Sequence, residues 1–197
     1  MKISREQVEQ NRNRVLDTAA KLFRERGIDG IGIADLMKAS GLTHGGFYRQ
    51  FKSKDDFVVE AVKRAFGMTS ADIRQRLAAD ASEPFEALVK HYVSSHHRDD
   101  PGMGCSLTAL AADAARCDNP ELKLFFGNIV SNYLDLLTAI NPEADATEKR
   151  STAIRILAEM VGAVLLSRVV PDEKLSDEIL DVVSNDLLDR HQSLPRT

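Results

Sequence analysis

Twelve consecutive residues, T-H-G-G-F-Y-R-Q-F-K-S-K from Thr43 to Lys54, concentrate the side chains best equipped for chemistry. They offer two hydroxyls, an imidazole, two adjacent glycines, a phenol, a guanidinium and two ammonium groups, with no carboxylate among them. That set suits recognition rather than bond-making. Hydroxyl, phenol and lysine donate to phosphate oxygens, and a guanidinium pairs with phosphate or with the edge of guanine. Thr43, His44, Gly45, Gly46, Tyr48, Arg49, Lys52 and Lys54 are the candidate contact residues. Phe47 and Phe51, four apart, are read as anchors to a core.

Such groups need elements to aim them, and the surrounding spacing supplies a helix-turn-helix. A first helix is predicted from Arg5 to Arg26, with Ser4 and Gln7 at capping-box spacing, Val8, Val15, Leu16, Ala19, Ala20 and Phe23 on one face, and Gly27 as its stop. A short helix follows over Ile33–Ser40, with Ile33, Leu36 and Met37 facing inward. Gly41 supplies a turn that needs positive φ, and Leu42 is the expected buried turn residue. Thr43 is expected to cap a second short helix, His44–Phe51, whose leading turn would enter the major groove. Two glycines there cost helix stability, about 1 kcal/mol each relative to alanine, which makes sense where backbone must approach a ligand. A longer helix starts after Ser53, which has Asp56 at capping-box spacing, and carries Phe57, Val58, Ala61, Val62 and Ala65.

Charge separates this head from the rest. Residues 1–66 carry a net +4 and residues 67–197 a net −8 within a chain of net −4, so the basic surface that phosphate requires is local. Beyond residue 80 the pattern predicts Pro84–His96, Ser106–Arg116, Pro120–Ile140, Thr147–Val169 and Leu175–His191, with His96–Gly104 as the main loop. Pro84 and Pro120 suit first-turn positions; Pro142 and Pro171 follow helices that they cannot continue. The fold class is all-α. A three-helix DNA-binding head, 1–66, is followed by a larger helical body, 67–197.

The run G-L-T-H-G-G-F-Y-R-Q-F-K-S-K, with the helices before it, resembles the tetracycline-repressor (TetR) family of bacterial regulators over roughly residues 5–66. The resemblance implies a sequence-specific transcriptional regulator: a homodimeric repressor on a pseudo-palindromic double-stranded DNA operator, released by a small-molecule effector. It implies no cofactor. Thr43, His44, Gly45, Tyr48, Arg49 and Lys54 match positions that touch DNA in the family. Gly32 departs from the Ser or Thr often found before the first short helix. Met103–Arg116 resembles a segment of one branch, with the pattern G-C-x-hydrophobic-x-x-L-A/S-x-D/E.

In the family the last two helices dimerise as a four-helix bundle. The sequence supports this on its own terms, because Ala153–Leu166 is apolar nearly all round and must be covered on both sides. Ile154, Leu157, Val161 and Leu165 are assigned to the chain's own core. Ile156, Met160, Ala163 and Val164 are assigned to a partner, together with Ile179, Val183 and Leu187 of the last helix. A large monomeric core is the alternative. Candidate effector-pocket residues are Phe85, Leu88, Tyr92, Cys105, Leu107, Leu110, Phe125, Phe126, Ile129 and Tyr133, for which plain core packing is the alternative.

Other chemistries find less support. His91, His96, His97, Asp99 and Asp100 are read as a charged loop end rather than a metal site. Cys105 beside a helix N-terminus could sense oxidation, against the reading of Cys105 and Cys117 as buried small hydrophobes. No nucleophile motif, paired-carboxylate arrangement, phosphate-binding glycine loop or HExxH points to a helical enzyme. No stretch has the roughly 18 apolar residues of a membrane span, the N-terminus lacks a signal-peptide pattern, and a reduced cytoplasmic protein is expected.

Overall fold

A computed structural model of the chain describes residues 4–140 and 146–193. All regular elements among the described residues are helical, as expected. The chain forms two compact units, Met1–Thr69 with Pro101–Phe125 and Ser70–Asp100 with Phe126–Thr197.

The first unit holds α1 (Arg5–Arg26), α2 (Ile33–Ala39), a single 3-10 turn (His44–Gly46), α3 (Phe47–Gln50), the first part of α4 (Lys54–Ala79), α7 (Ser106–Arg116) and the start of α8 (Pro120–Ile140). Ser4 Oγ accepts from Gln7 N–H at 3.1 Å, but the Gln7 amide turns to Asn11, so only half of the expected capping box forms. Gly27 ends α1 at φ 81°. Val15, Leu16, Ala19, Ala20 and Phe23 are buried as the spacing predicts, whereas Val8 is 43% exposed, beyond the reach of that core. Arg24 is also buried and donates to Ala65 O, Thr69 Oγ1 and Gly104 O. Residues 66 and 67, where the charge balance changes sign, lie inside α4.

The second unit holds the rest of α4 and α8, with α5 (Pro84–Tyr92), α6 (Ser95–Asp99), α9 (Ala146–Val169) and α10 (Glu173–Gln192). The helix expected over Pro84–His96 breaks at Val93. Ser94 Oγ there donates to His91 O and accepts from His97 N–H, which starts α6 inside the stretch expected to be loop. Arg168 donates to His97 O and Arg98 O, carbonyls that the end of so short a helix leaves open. Ser176 Oγ donates to Ser167 O at 2.7 Å across the turn at Pro171, locking α9 against α10. Pro142 lies outside the described residues.

Candidate nucleic-acid interface

The turn between α2 and α3 is a Schellman motif. Gly41 stands at φ 71°, its N–H reaches Lys38 O at 3.0 Å, and Leu42 N–H reaches Met37 O at 2.9 Å. Leu42 is half-buried rather than buried, its place in the core being shared with solvent at the turn. Gly32 precedes α2 and contributes no side-chain cap.

The recognition segment is short. One 3-10 turn and a four-residue α3 form too few backbone hydrogen bonds to hold a conformation alone. Four phenylalanines hold it instead. Phe47 and Phe51 pack against Phe57 of α4 with centroids 5.1 and 4.6 Å away, and Phe23 of α1 closes the cluster at 5.9 Å from Phe57. Sequence spacing found Phe47 and Phe51 as anchors but missed Arg12. Its guanidinium lies 4.9 Å from the Phe51 ring centroid, pairs with Glu60 and reaches Gln50 O at 3.5 Å. The only sequence signal was a basic residue beside an apolar stripe.

With this scaffold fixed, Thr43, Gly45, Gly46 and Arg49 line one groove, whereas Lys54 stands apart beside Asp29 and Asp55. Thr43, His44, Gly45, Tyr48, Arg49, Lys52 and Lys54 are all exposed, and Gly46 is half-buried. Tyr48 is 65% exposed and stands edge-to-face with His44 at 6.2 Å, so the phenol and imidazole project together. Lys54 Nζ lies 2.8 Å from Asp29, on the turn after α1. Ser53 Oγ accepts from Asp56 N–H at 3.0 Å and fixes the start of α4. Thr43 departs from expectation: its carbonyl accepts from Gly46 N–H at 2.9 Å, but its hydroxyl makes no capping hydrogen bond. The tighter 3-10 turn satisfies that donor through the backbone.

The glycine pair has no internal explanation. Neither residue has positive φ, a Cβ on Gly45 would meet nothing within 4 Å, and one on Gly46 would rest at 3.5 Å from Met37 Cε. The missing side chains leave room outside the protein, as close backbone approach to DNA requires.

In the second unit, Leu157 of α9 is buried as assigned and Val161 is half-buried, but the other assignments on this helix do not hold. Ile156, Met160, Ala163 and Val164 are buried within the chain, as is Leu187 of α10, so these residues do not form a surface for a partner. Ile179 and Val183 are half-buried. Ile154, Leu165, Leu166 and Val169 of α9 are exposed instead, with Leu175 and Val182 of α10. The packing of α10 selects which side of an all-round apolar helix is covered.

The pocket candidates divide between the units. Phe85, Leu88, Tyr92, Phe126, Ile129 and Tyr133 are buried in the second, where Tyr92 and Tyr133 meet edge-to-face at 6.2 Å. Cys105, Leu107 and Leu110 are buried in the first; Phe125, also there, is half-buried and packs edge-to-face on Phe66 at 5.9 Å. Cys105 is 2% exposed, while Cys117 is half-buried, against the expectation that both are buried.

Among the described residues no group of three or more His, Cys, Asp or Glu side chains is placed to hold a metal ion. His97 Nδ1 lies 2.7 Å from Tyr92 O, and burial pushes its pKa down to about 4 against the raising effect of that hydrogen bond. Burial also lowers His91, with help from Arg76, although Asp72 lies 3.2 Å from its Nε2 and opposes the shift. No helix among the described residues is long and apolar enough to cross a membrane.

Comparison with known proteins agrees with this architecture. Residues 15–61 match the family model of bacterial regulatory proteins of the tetR family. The HTH-type transcriptional repressor DhaR of Mycobacterium sp. (strain GP1) is 24% identical over 90% of this chain and 92% of its own length. The fatty acid metabolism regulator protein of Bacillus subtilis is 23% identical over 89% and 90%. A TetR-family regulator from Cytophaga hutchinsonii has the same fold at TM-score 0.77, with 20% identity over 99% of this chain and all of that one. The helix-turn-helix on its aromatic scaffold thus lies within residues 15–61, the stretch that matches the tetR family of bacterial regulatory proteins.

Proposed function

We propose that this DNA-binding regulator is a homodimeric cytoplasmic repressor. Its head reads a pseudo-palindromic operator, and a small molecule bound in the body releases it. One observation carries the reading: the run from Thr43 to Lys54, which contains no carboxylate and includes a glycine pair with no role inside the fold, is set on an aromatic scaffold. The proposed DNA contacts are Thr43, His44, Gly45, Gly46, Tyr48, Arg49, Lys52 and Lys54. Phosphate contacts fix register, and His44 and Arg49 are suited to base edges.

The proposed dimer surface is the exposed apolar stripe Ile154, Leu165, Leu166 and Val169 with Leu175 and Val182. Pairing there covers apolar area that a lone chain leaves in water. In a dimer, the two recognition segments would address successive major grooves, roughly 34 Å apart. Phe85, Leu88, Tyr92, Phe126, Ile129 and Tyr133 are the proposed effector-contact set, apolar with two phenols, as small-molecule sites are. Release follows when the effector binds the conformation that does not bind DNA more tightly than the one that does. The chain acts by binding rather than by catalysis.

Selection of duplexes from a random-sequence library by the full-length chain tests this. The expected result is a two-fold related consensus bound as a dimer, with affinity falling steeply as salt rises. Equal, weak affinity for every duplex would overturn the reading.

A further inference from the structure

A groove of about 560 Å³ runs beside the recognition turn, lined by Leu42, Thr43, Gly45, Gly46, Arg49 and Gln50 on one side and by Val8 and Asn11 of α1 on the other. The α1 wall belongs to neither the helix-turn-helix motif nor the contact set above. We propose that this groove seats a strand of the operator backbone, which makes Val8 and Asn11 DNA-positioning residues; the inference rests on the DNA-binding reading of the head.

Three observations support it. The groove lining includes one charged side chain, Arg49, and no carboxylate. Of the exposed acids of α1, Glu6, Glu9 and Asp17 lie off the face that presents Val8 and Asn11, and Glu25 lies about four turns further along the helix. A polyanion is repelled by those faces and admitted by this one.

Val8 lies three residues before Asn11, on the same helical face, and is 43% exposed although it continues the apolar stripe of α1. Its methyl groups give deoxyribose an apolar surface. The amide of Asn11 can donate to a phosphate. Its Oδ1 accepts from Gln7 Nε2 at 3.2 Å, and its Nδ2 hydrogens remain for a phosphate oxygen. Across the groove the Thr43 hydroxyl makes no capping hydrogen bond, and Gly45 has open space where a Cβ would stand. A sugar–phosphate strand therefore meets donors on both walls and apolar surface beneath.

The test uses the duplex recovered by the wild-type full-length chain from a random-sequence library. Asn11→Ala and Val8→Ala should each weaken its binding by about threefold to tenfold, the loss typical of one backbone contact. Asn11→Lys should tighten binding and steepen the dependence of log K on log salt by roughly 0.9, the value of one added phosphate contact. A gain of this kind cannot come from misfolding, and melting curves check the two alanine variants. Ethylation of a phosphate that interferes with wild-type binding should lose its effect in Asn11→Ala. If all three variants bind like wild type while Arg49→Ala binds weakly, the α1 wall is not a contact and the recognition face stands. If wild type recovers no preferred duplex, the proposed function and this inference fall together.

Discussion

Phe47 and Phe57 meet edge to face, with ring centroids 5.1 Å apart and planes at 84°. Through this contact the first residue of a four-residue helix is tied to the buried face of α4. The pair is a load path from the exposed Tyr48–Arg49 surface into the core. Truncating either ring removes the tie and opens a cavity.

Phe57→Ala should therefore cost about 3–5 kcal/mol of unfolding free energy, read from urea denaturation. At temperatures where the variant is still folded, its DNA affinity should drop as well. Unchanged affinity in a destabilised but folded protein would show that the recognition segment is held by something other than these rings.

How much of this was legible beforehand depends on whether a local signal existed. Ser4, Gly27, Gly41 and Pro120 mark boundaries through backbone chemistry, and the ends of α1 and α8 fall where those residues put them. The break at Val93 was hidden because apolar spacing runs through it; only the Ser94 side chain, competing for backbone partners, marks it. The covered side of α9 was not readable at all. From Ala153 to Leu166 only Arg155, Glu159 and Gly162 interrupt the apolar residues, so the choice of covered side is left largely to packing against α10, a tertiary effect that no local pattern encodes. Likewise Thr43 was placed correctly as a boundary residue but given a cap that the 3-10 turn makes unnecessary.

Lys54 is paired with Asp29 at 2.8 Å, both side chains largely in solvent. In the proposed complex a phosphate would compete with Asp29 for the same ammonium. Lys54→Ala should make the salt dependence of DNA binding shallower by roughly 0.9. Asp29→Asn should tighten binding to non-specific duplex at low salt by about twofold to fivefold, the range of an exposed ion pair, and the effect should vanish in the Lys54→Ala background. Persistence there would mean that Asp29 acts on DNA without Lys54.

The revised partner surface makes opposite predictions for residues on one helix. Leu166→Asp and Val169→Asp place charge on exposed positions and should give folded monomers by sedimentation. Met160→Asp, at a fully buried position, should instead unfold the chain. Folded dimers from Val169→Asp together with folded monomers from Met160→Asp would restore the original assignment.

His97 makes the stability of the fold depend on pH. Its folded pKa is pushed below the unfolded value of 6.5 to about 4, so between these values the unfolded state binds more protons and stability rises with pH. The contribution is complete above about pH 6.5 and lost progressively toward pH 4, by an amount on the order of 3 kcal/mol. Urea midpoints at pH 7.5 and 4.5 should differ less in His97→Gln than in wild type. An equal difference in both proteins would assign the acid sensitivity elsewhere.

The brevity of α3 has a consequence for how such a regulator can change. Because the aromatic cluster, and not the helix's own hydrogen bonds, fixes the position of the segment, His44 and Arg49 contribute almost nothing to folding. If His44 and Arg49 read bases as proposed, substitutions at these two positions should redirect the protein to new targets at nearly constant stability. The same chain can thus acquire a different regulatory address without first acquiring a sturdier body.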